Sequence, residues 1–198
     1  MRVLILTFFT IILFFTTISA HALDGIPSTM QVGKTKLILN GAGKRIKLLM
    51  RVYNAGLYLQ NKSGDANKII AANEPMAIRM KITSSFASGI NIKASLLKSF
   101  NNVTGGNTAP IQTEIDQLLD GAFKGRMSKG DVFDLVYTPG VGTQVIKNAK
   151  KMMVVKGLPI KRALFGIWLS ETAAQISLKD DLLGKVPAKT AALENTEK

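Results

Sequence analysis

Between residues 76 and 83 apolar and other positions alternate: Met76, Ile78, Met80 and Ile82 are interleaved with Ala77, Arg79, Lys81 and Thr83. A period of two sends successive side chains to opposite sides, so this run predicts a strand buried on one face. Residues 35–39 predict a shorter strand, ended by a turn at Asn40-Gly41-Ala42-Gly43. Residues 46–60, rich in Val, Leu and Tyr, predict a strand with both faces at least partly buried. From Ser88 the period changes. Ile90, Ala94, Leu97 and Phe100 fall at helical spacing until Gly105-Gly106, and Pro110 opens a second helix carrying Ile111, Ile115, Leu118 and Leu119 up to Gly121. Residues 131–137, 143–147 and 152–155 are three β runs joined by turn residues, which predicts a meander. Pro159 starts a helix through Leu169, and residues 178–183 predict one more. Strands at both ends with helices between and after them make the class α+β, with helices on one face of an antiparallel sheet. Residues 23–34 read as a lead-in and 185–198 as a loose tail.

The first 22 residues follow a different pattern: Arg2, an apolar or Thr-containing run from Val3 to Phe15, then small residues ending in Ala20-His21-Ala22. That order is a secretory signal with an A-x-A cleavage site, and cleavage is expected after Ala22, delivering the protein to the periplasm. A retained anchor is the rival reading, because residues 3–20 approach the ~18–20 residues that cross a bilayer. About 175 residues then remain, the size of one domain with a sizeable core.

The chain has no cysteine and a single histidine, His21, inside the expected signal. Disulfides, cysteine nucleophiles, Ser-His-Asp triads, histidine bases and Cys/His zinc sites are thereby excluded from the mature part, and no cofactor or metal is called for. Without Arg2 the net charge is about +12, and residues 26–64 carry seven Lys or Arg and no acid. For an exported protein this charge points to a membrane surface of anionic lipid, or to a cell-envelope polymer, rather than to nucleic acid. A solvated basic face that merely keeps the protein soluble fits the same charge. The oligomeric state stays open.

Gly41-Ala42-Gly43-Lys44-Arg45 begins like an anion-cradling loop, but phosphate-loop spacing needs Gly where Ile38 stands and Ser or Thr where Arg45 stands. Taken with Val52-Tyr53-Asn54-Ala55-Gly56-Leu57-Tyr58-Leu59, these residues resemble the opening strands of the chalcone isomerase family, with its Gly-Ala-Gly-x-Arg and aromatic-x-Ala-x-Gly-x-Tyr-Leu patterns. The resemblance extends to Lys129-Gly130-Asp131, to Tyr137-Thr138-Pro139-Gly140 and to residues 162–169, and spans roughly 30–184. It implies an open-faced β-sandwich, a large antiparallel sheet with helices layered over a ligand cleft.

Arg45 matches the family arginine that stabilises an oxyanion in the plant isomerases. The other polar positions of that site fall on Tyr53 and near Phe86, Lys93 and Ile167, so only the arginine survives clearly. Ordinary roles compete at each: Arg45 as a surface arginine, Tyr53 and Tyr58 as core aromatics with satisfied hydroxyls, Lys93 as a solvated lysine, Trp168 as core packing. Since fold does not carry activity, and since the resemblance includes relatives that bind fatty acids in the same cleft, the leading expectation is a non-enzymatic binder of a small amphipathic anion, such as a fatty-acid-like carboxylate, with Arg45, Tyr53, Phe86 and Lys93 as ligand-binding candidates. An isomerase or lyase using Arg45 as oxyanion stabiliser is the alternative, and a structural or partner-binding envelope protein the third.

Overall fold

The computed structural model describes residues 23–85, 87, 92–123 and 127–185. Its single sheet has seven strands in chain order: β1 (Thr29–Val32), β2 (Thr35–Lys47), β3 (Met50–Leu59), β4 (Met76–Ile82), β5 (Val132–Thr138), β6 (Gly142–Lys147) and β7 (Lys150–Val155). Every neighbouring pair is antiparallel. Helix α1 (Ala66–Ala71) links β3 to β4. Helix α2 (Ile92–Val103), a 3₁₀ turn at Ala109–Ile111 and α3 (Gln112–Gly121) link β4 to β5, and α4 (Leu158–Leu169) and α5 (Ile176–Leu182) follow β7. This is the α+β, open-faced arrangement that the hydrophobic pattern and the resemblance imply.

The alternation in the strands decides which side is thick. Leu57, Ile78, Leu135 and Val145 point to the helices and join Phe100, Ile115, Leu164 and Phe165 in the main core. Their neighbours Tyr58, Ala77 and Val136 point the other way, into a small cluster closed by Ile26, Val32 and Leu37. β4 is therefore covered on both sides, not one, because the lead-in expected at 23–34 forms β1 and lays Ile26 over the outer face. The Tyr58 hydroxyl donates to the Pro27 carbonyl at 2.8 Å and ties that segment down. On the same side Arg79 and Asp134, cross-strand partners in β4 and β5, form a bidentate pair at 2.6 and 2.8 Å.

β2 departs most from expectation. The chain does not turn at Asn40–Gly43 but continues as strand to Lys47, with register shifts between Leu39 and Gly41 and between Arg45 and Ile46. Asn40 sits at the first irregularity. Its amide donates to the carbonyls of Ser63 and Leu182 at 2.9 and 2.8 Å, and its Oδ1 accepts from the Ser63 amide at 2.8 Å. Gly41 and Gly43 are there for close approach. A Cβ on Gly41 would collide with the backbone carbonyls of Asp181 and Leu182, and one on Gly43 with the Asp181 carboxylate, so α5 can cross β2 only where side chains are missing. The true turn comes later. Leu48 and Leu49, at φ 48° and 62°, divide the expected 46–60 strand into β2 and β3. Six residues of helix at α1 also went unpredicted, since a short turn of helix carries too little periodicity to read.

α4 is buried almost all round, and Pro159 in its first turn fits the missing N–H there. Its Lys161 is fully buried, and its ammonium donates to the carbonyls of Ile69, Ile70 and Ala72 at 3.0, 3.0 and 2.7 Å. These are groups that the end of α1 leaves without helical partners. Burial pushes the Lys161 amine down to about 8.

Among the described residues no helix is long and apolar enough to cross a membrane. The expected signal at 1–22, Phe86 and the tail beyond 185 lie outside the described residues.

Candidate functional site

Antiparallel pairing of β2 with β3 sets Arg45 directly across from Tyr53. Both reach a cavity of about 120 Å³ between the sheet and helices α2 and α4. Val52 and Met80 form its sheet wall, Ile92 and Leu96 of α2 and Leu164 and Ile167 of α4 its helical wall. The lining also includes Phe123 and Met127, and its cations are Arg45 and Lys47. Among the described residues it contains no carboxylate, so the Arg45 charge is not neutralised within it.

The guanidinium is nevertheless held in place. Arg45 Nη1 donates to the Ile46 carbonyl and to Gln175 Oε1, both at 3.0 Å. Gln175 is fixed in turn: its Oε1 accepts from the Ile46 amide at 2.8 Å, and its Nε2 donates to the Lys44 carbonyl at 3.0 Å and to Ser177 Oγ at 2.8 Å. These partners are neutral acceptors, which orient an arginine without cancelling its charge. Tyr53 stands beside it with its hydroxyl accepting from Trp168 Nε1 at 3.0 Å. Burial raises the phenol above its ordinary value of 10, against the lowering effects of Trp168 and the Arg45 charge, so the neutral form is held at physiological pH. Its hydroxyl hydrogen has no acceptor among the described residues. Ser99, also on the lining, spends its hydroxyl on the Ser95 carbonyl at 3.0 Å.

The arrangement is two cations, Arg45 and Lys47, and a neutral phenol at one end of a largely apolar space. Such a space accepts an anionic oxygen at the polar end and a hydrocarbon or aromatic body beyond it. Among the described residues no cluster of His, Cys, Asp and Glu is suited to a metal.

A family model described as chalcone isomerase-like matches residues 21–184. The chain belongs to the chalcone isomerase-like family. No curated protein matches its sequence. Among solved structures it is similar to the crystal structure of a fatty-acid binding protein from Arabidopsis thaliana, with 18% identity, 80% of this chain and 90% of that chain covered, and a TM-score of 0.63.

Within this chalcone isomerase-like domain the expected site residues separate. Arg45 and Tyr53 come together at the cavity, and Ile167 lines it as an apolar wall residue. Lys93 does not join them: its ammonium pairs with Asp120 at 2.6 Å and is not part of the lining. Phe86 lies outside the described residues. Trp168, expected to do no more than pack, also positions Tyr53 through its indole N–H. Gln175 was missed altogether, since a lone Gln before a short helix carries no chemical signal in sequence. Lys47 was legible in principle, but only once β2 is known to run past Gly43.

Proposed function

We infer that this protein binds a small amphipathic anion, a fatty acid or a similar carboxylate, and does not turn it over. The observation that carries the reading is Arg45: it lies on a largely apolar cavity, oriented by Gln175 and a backbone carbonyl, with no carboxylate on the lining among the described residues. An arginine in such surroundings contributes little to stability, because desolvation offsets much of its attraction to neutral partners, so its value lies in a ligand anion. The carboxylate would take charge-assisted hydrogen bonds from Arg45 and one from the Tyr53 hydroxyl, with its chain along Leu96, Leu164 and Ile167. The similar Arabidopsis thaliana structure is that of a fatty-acid binding protein, which supports this ligand class. Ile167 and the outward-facing Lys93 offer nothing to organise water or an enone at the positions where the plant isomerases carry donors, which favours binding over catalysis.

The protein is read as exported, with Leu23 as its mature N-terminus. Mass spectrometry of gently purified protein tests both parts, reading the chain mass and any bound lipid together. Titration with a fatty acid should saturate at one site, with affinity lost in Arg45→Ala. Arg45-dependent cyclisation of a chalcone above the spontaneous rate would overturn the binding-only reading.

A further inference from the structure

The apex of the β2–β3 hairpin is apolar and projects into solvent: Leu48 is 78% and Leu49 97% exposed, with Ile46 and Met50 beside them at 46% and 47%. Isolated exposed leucines are ordinary, but four apolar neighbours at one hairpin tip form a patch. The backbone makes their presence more telling. Both apex residues have positive φ, a conformation that suits Asn and Gly and disfavours leucine. The β6–β7 hairpin, also a two-residue turn with positive φ, uses Asn148-Ala149, and Asn148 pays its way locally by bonding the Val132 amide and Asp131. Leu48 and Leu49 have neither that conformational ease nor burial to justify them.

Cations surround the tip. Lys44, Arg45, Lys47 and Arg51 flank it on the two strands. Antiparallel pairing throughout puts the β6–β7 turn at the same end of the sheet, with Lys150, Lys151 and the exposed Met152. Asp131, the acid beside that turn, is engaged by Lys147 and Asn148. We propose that this end of the sheet docks on an anionic lipid bilayer, with Leu48 and Leu49 entering the acyl boundary and the exposed Lys44, Arg51, Lys150 and Lys151 lying at the headgroups. An apolar point ringed by positive charge is complementary to a surface that is negative outside and hydrocarbon just beneath. Arg45 and Lys47, which line the cavity, lie on the strand leading into the tip, so docking sets the cavity's polar end against the membrane. The proposal goes beyond ligand binding and stands on the surface alone.

Leu48→Asn/Leu49→Gly tests it, because those residues suit the turn and should leave the melting temperature unchanged or higher. Cosedimentation with phosphatidylglycerol-containing vesicles should weaken about a hundredfold in this variant, since each of the two leucines withdrawn from hydrocarbon removes about tenfold in affinity. Binding of the unmodified protein should be weaker on phosphatidylcholine vesicles and at high salt. Leu49→Trp places a reporter at the apex, whose emission should shift to the blue with anionic vesicles and be quenched by brominated acyl chains. An unshifted Leu49→Trp spectrum, or unchanged vesicle binding by the double variant, overturns the proposal. So does loss of a lipid-free dimer on substitution, which would make a second copy the occupant. Fatty-acid titration without vesicles should be the same in the double variant, so failure of the ligand reading is seen separately.

Discussion

Arg45 and Arg79 are both strand arginines of the same sheet, and they are treated in opposite ways. Arg79 lies on the outer face and is closed by a bidentate carboxylate, Asp134, at 2.6 and 2.8 Å. That pair holds β4 to β5, and the Asp134 hydrogen bond is what chiefly raises the Arg79 pKa. Arg45 faces the helices, where its bonds go to a backbone carbonyl and a glutamine side chain. One arginine has its charge cancelled by the fold; the other is aimed and left charged. The difference teaches how to separate a structural cation from a recognition cation: by whether its partners neutralise it, not by how well it is held.

The contrast can be broken in several ways. The largest effect is expected from Arg45→Ala, which should lower fatty-acid affinity tenfold to a hundredfold, about 1.5–3 kcal/mol for a lost charge-assisted contact, with little change in melting temperature. Arg45→Lys should restore only part of it, since an ammonium keeps the charge but loses the planar fork. Isothermal titration and thermal melts on the same samples read both quantities. A variant that melts early and binds normally would make Arg45 another Arg79.

Arg79→Ala should show the reverse profile. Removing it leaves Asp134 poorly solvated and unpaired, which should cost about 2 kcal/mol of stability, less than for a fully buried pair because the Arg79 side chain is 25% exposed. Ligand affinity should be unchanged. Denaturant unfolding measures the first and titration the second.

Tyr53 gives a smaller, pH-dependent signal. Burial raises its pKa above 10, so carboxylate affinity should hold steady up to that pH. It should then fall as the phenol ionises, because a phenolate has lost its donor hydrogen and repels the ligand anion. Tyr53→Phe should abolish this step and cost about 0.5–1.5 kcal/mol of binding at neutral pH. Persistence of the step in Tyr53→Phe would assign it elsewhere. The smallest effect belongs to Lys150→Ala, which is not on the cavity lining and should leave fatty-acid affinity unaltered at physiological salt.

What the amino-acid sequence alone determined was whatever depends on neighbours along the chain. The period of two at Met76–Ile82, the helical spacing from Ala94 to Phe100, the Pro159 start of α4 and the β5–β7 meander were all legible, because pattern and turn chemistry are local. Arg45 and Tyr53 were legible as candidates through the family motif that carries them. The tertiary structure decided what distance along the chain conceals. Gly41 and Gly43 read as turn formers, and only the crossing of α5, some 140 residues later, makes them strand residues with no room for a Cβ. Nothing along the chain marks Lys161 as buried, and the carbonyls that hold it come from the end of α1, about 90 residues earlier. Lys93 and Trp168 exchanged roles for the same reason: a helix places each side chain on a face, but whether that face meets solvent, an acid or a phenol is set by the elements packed against it.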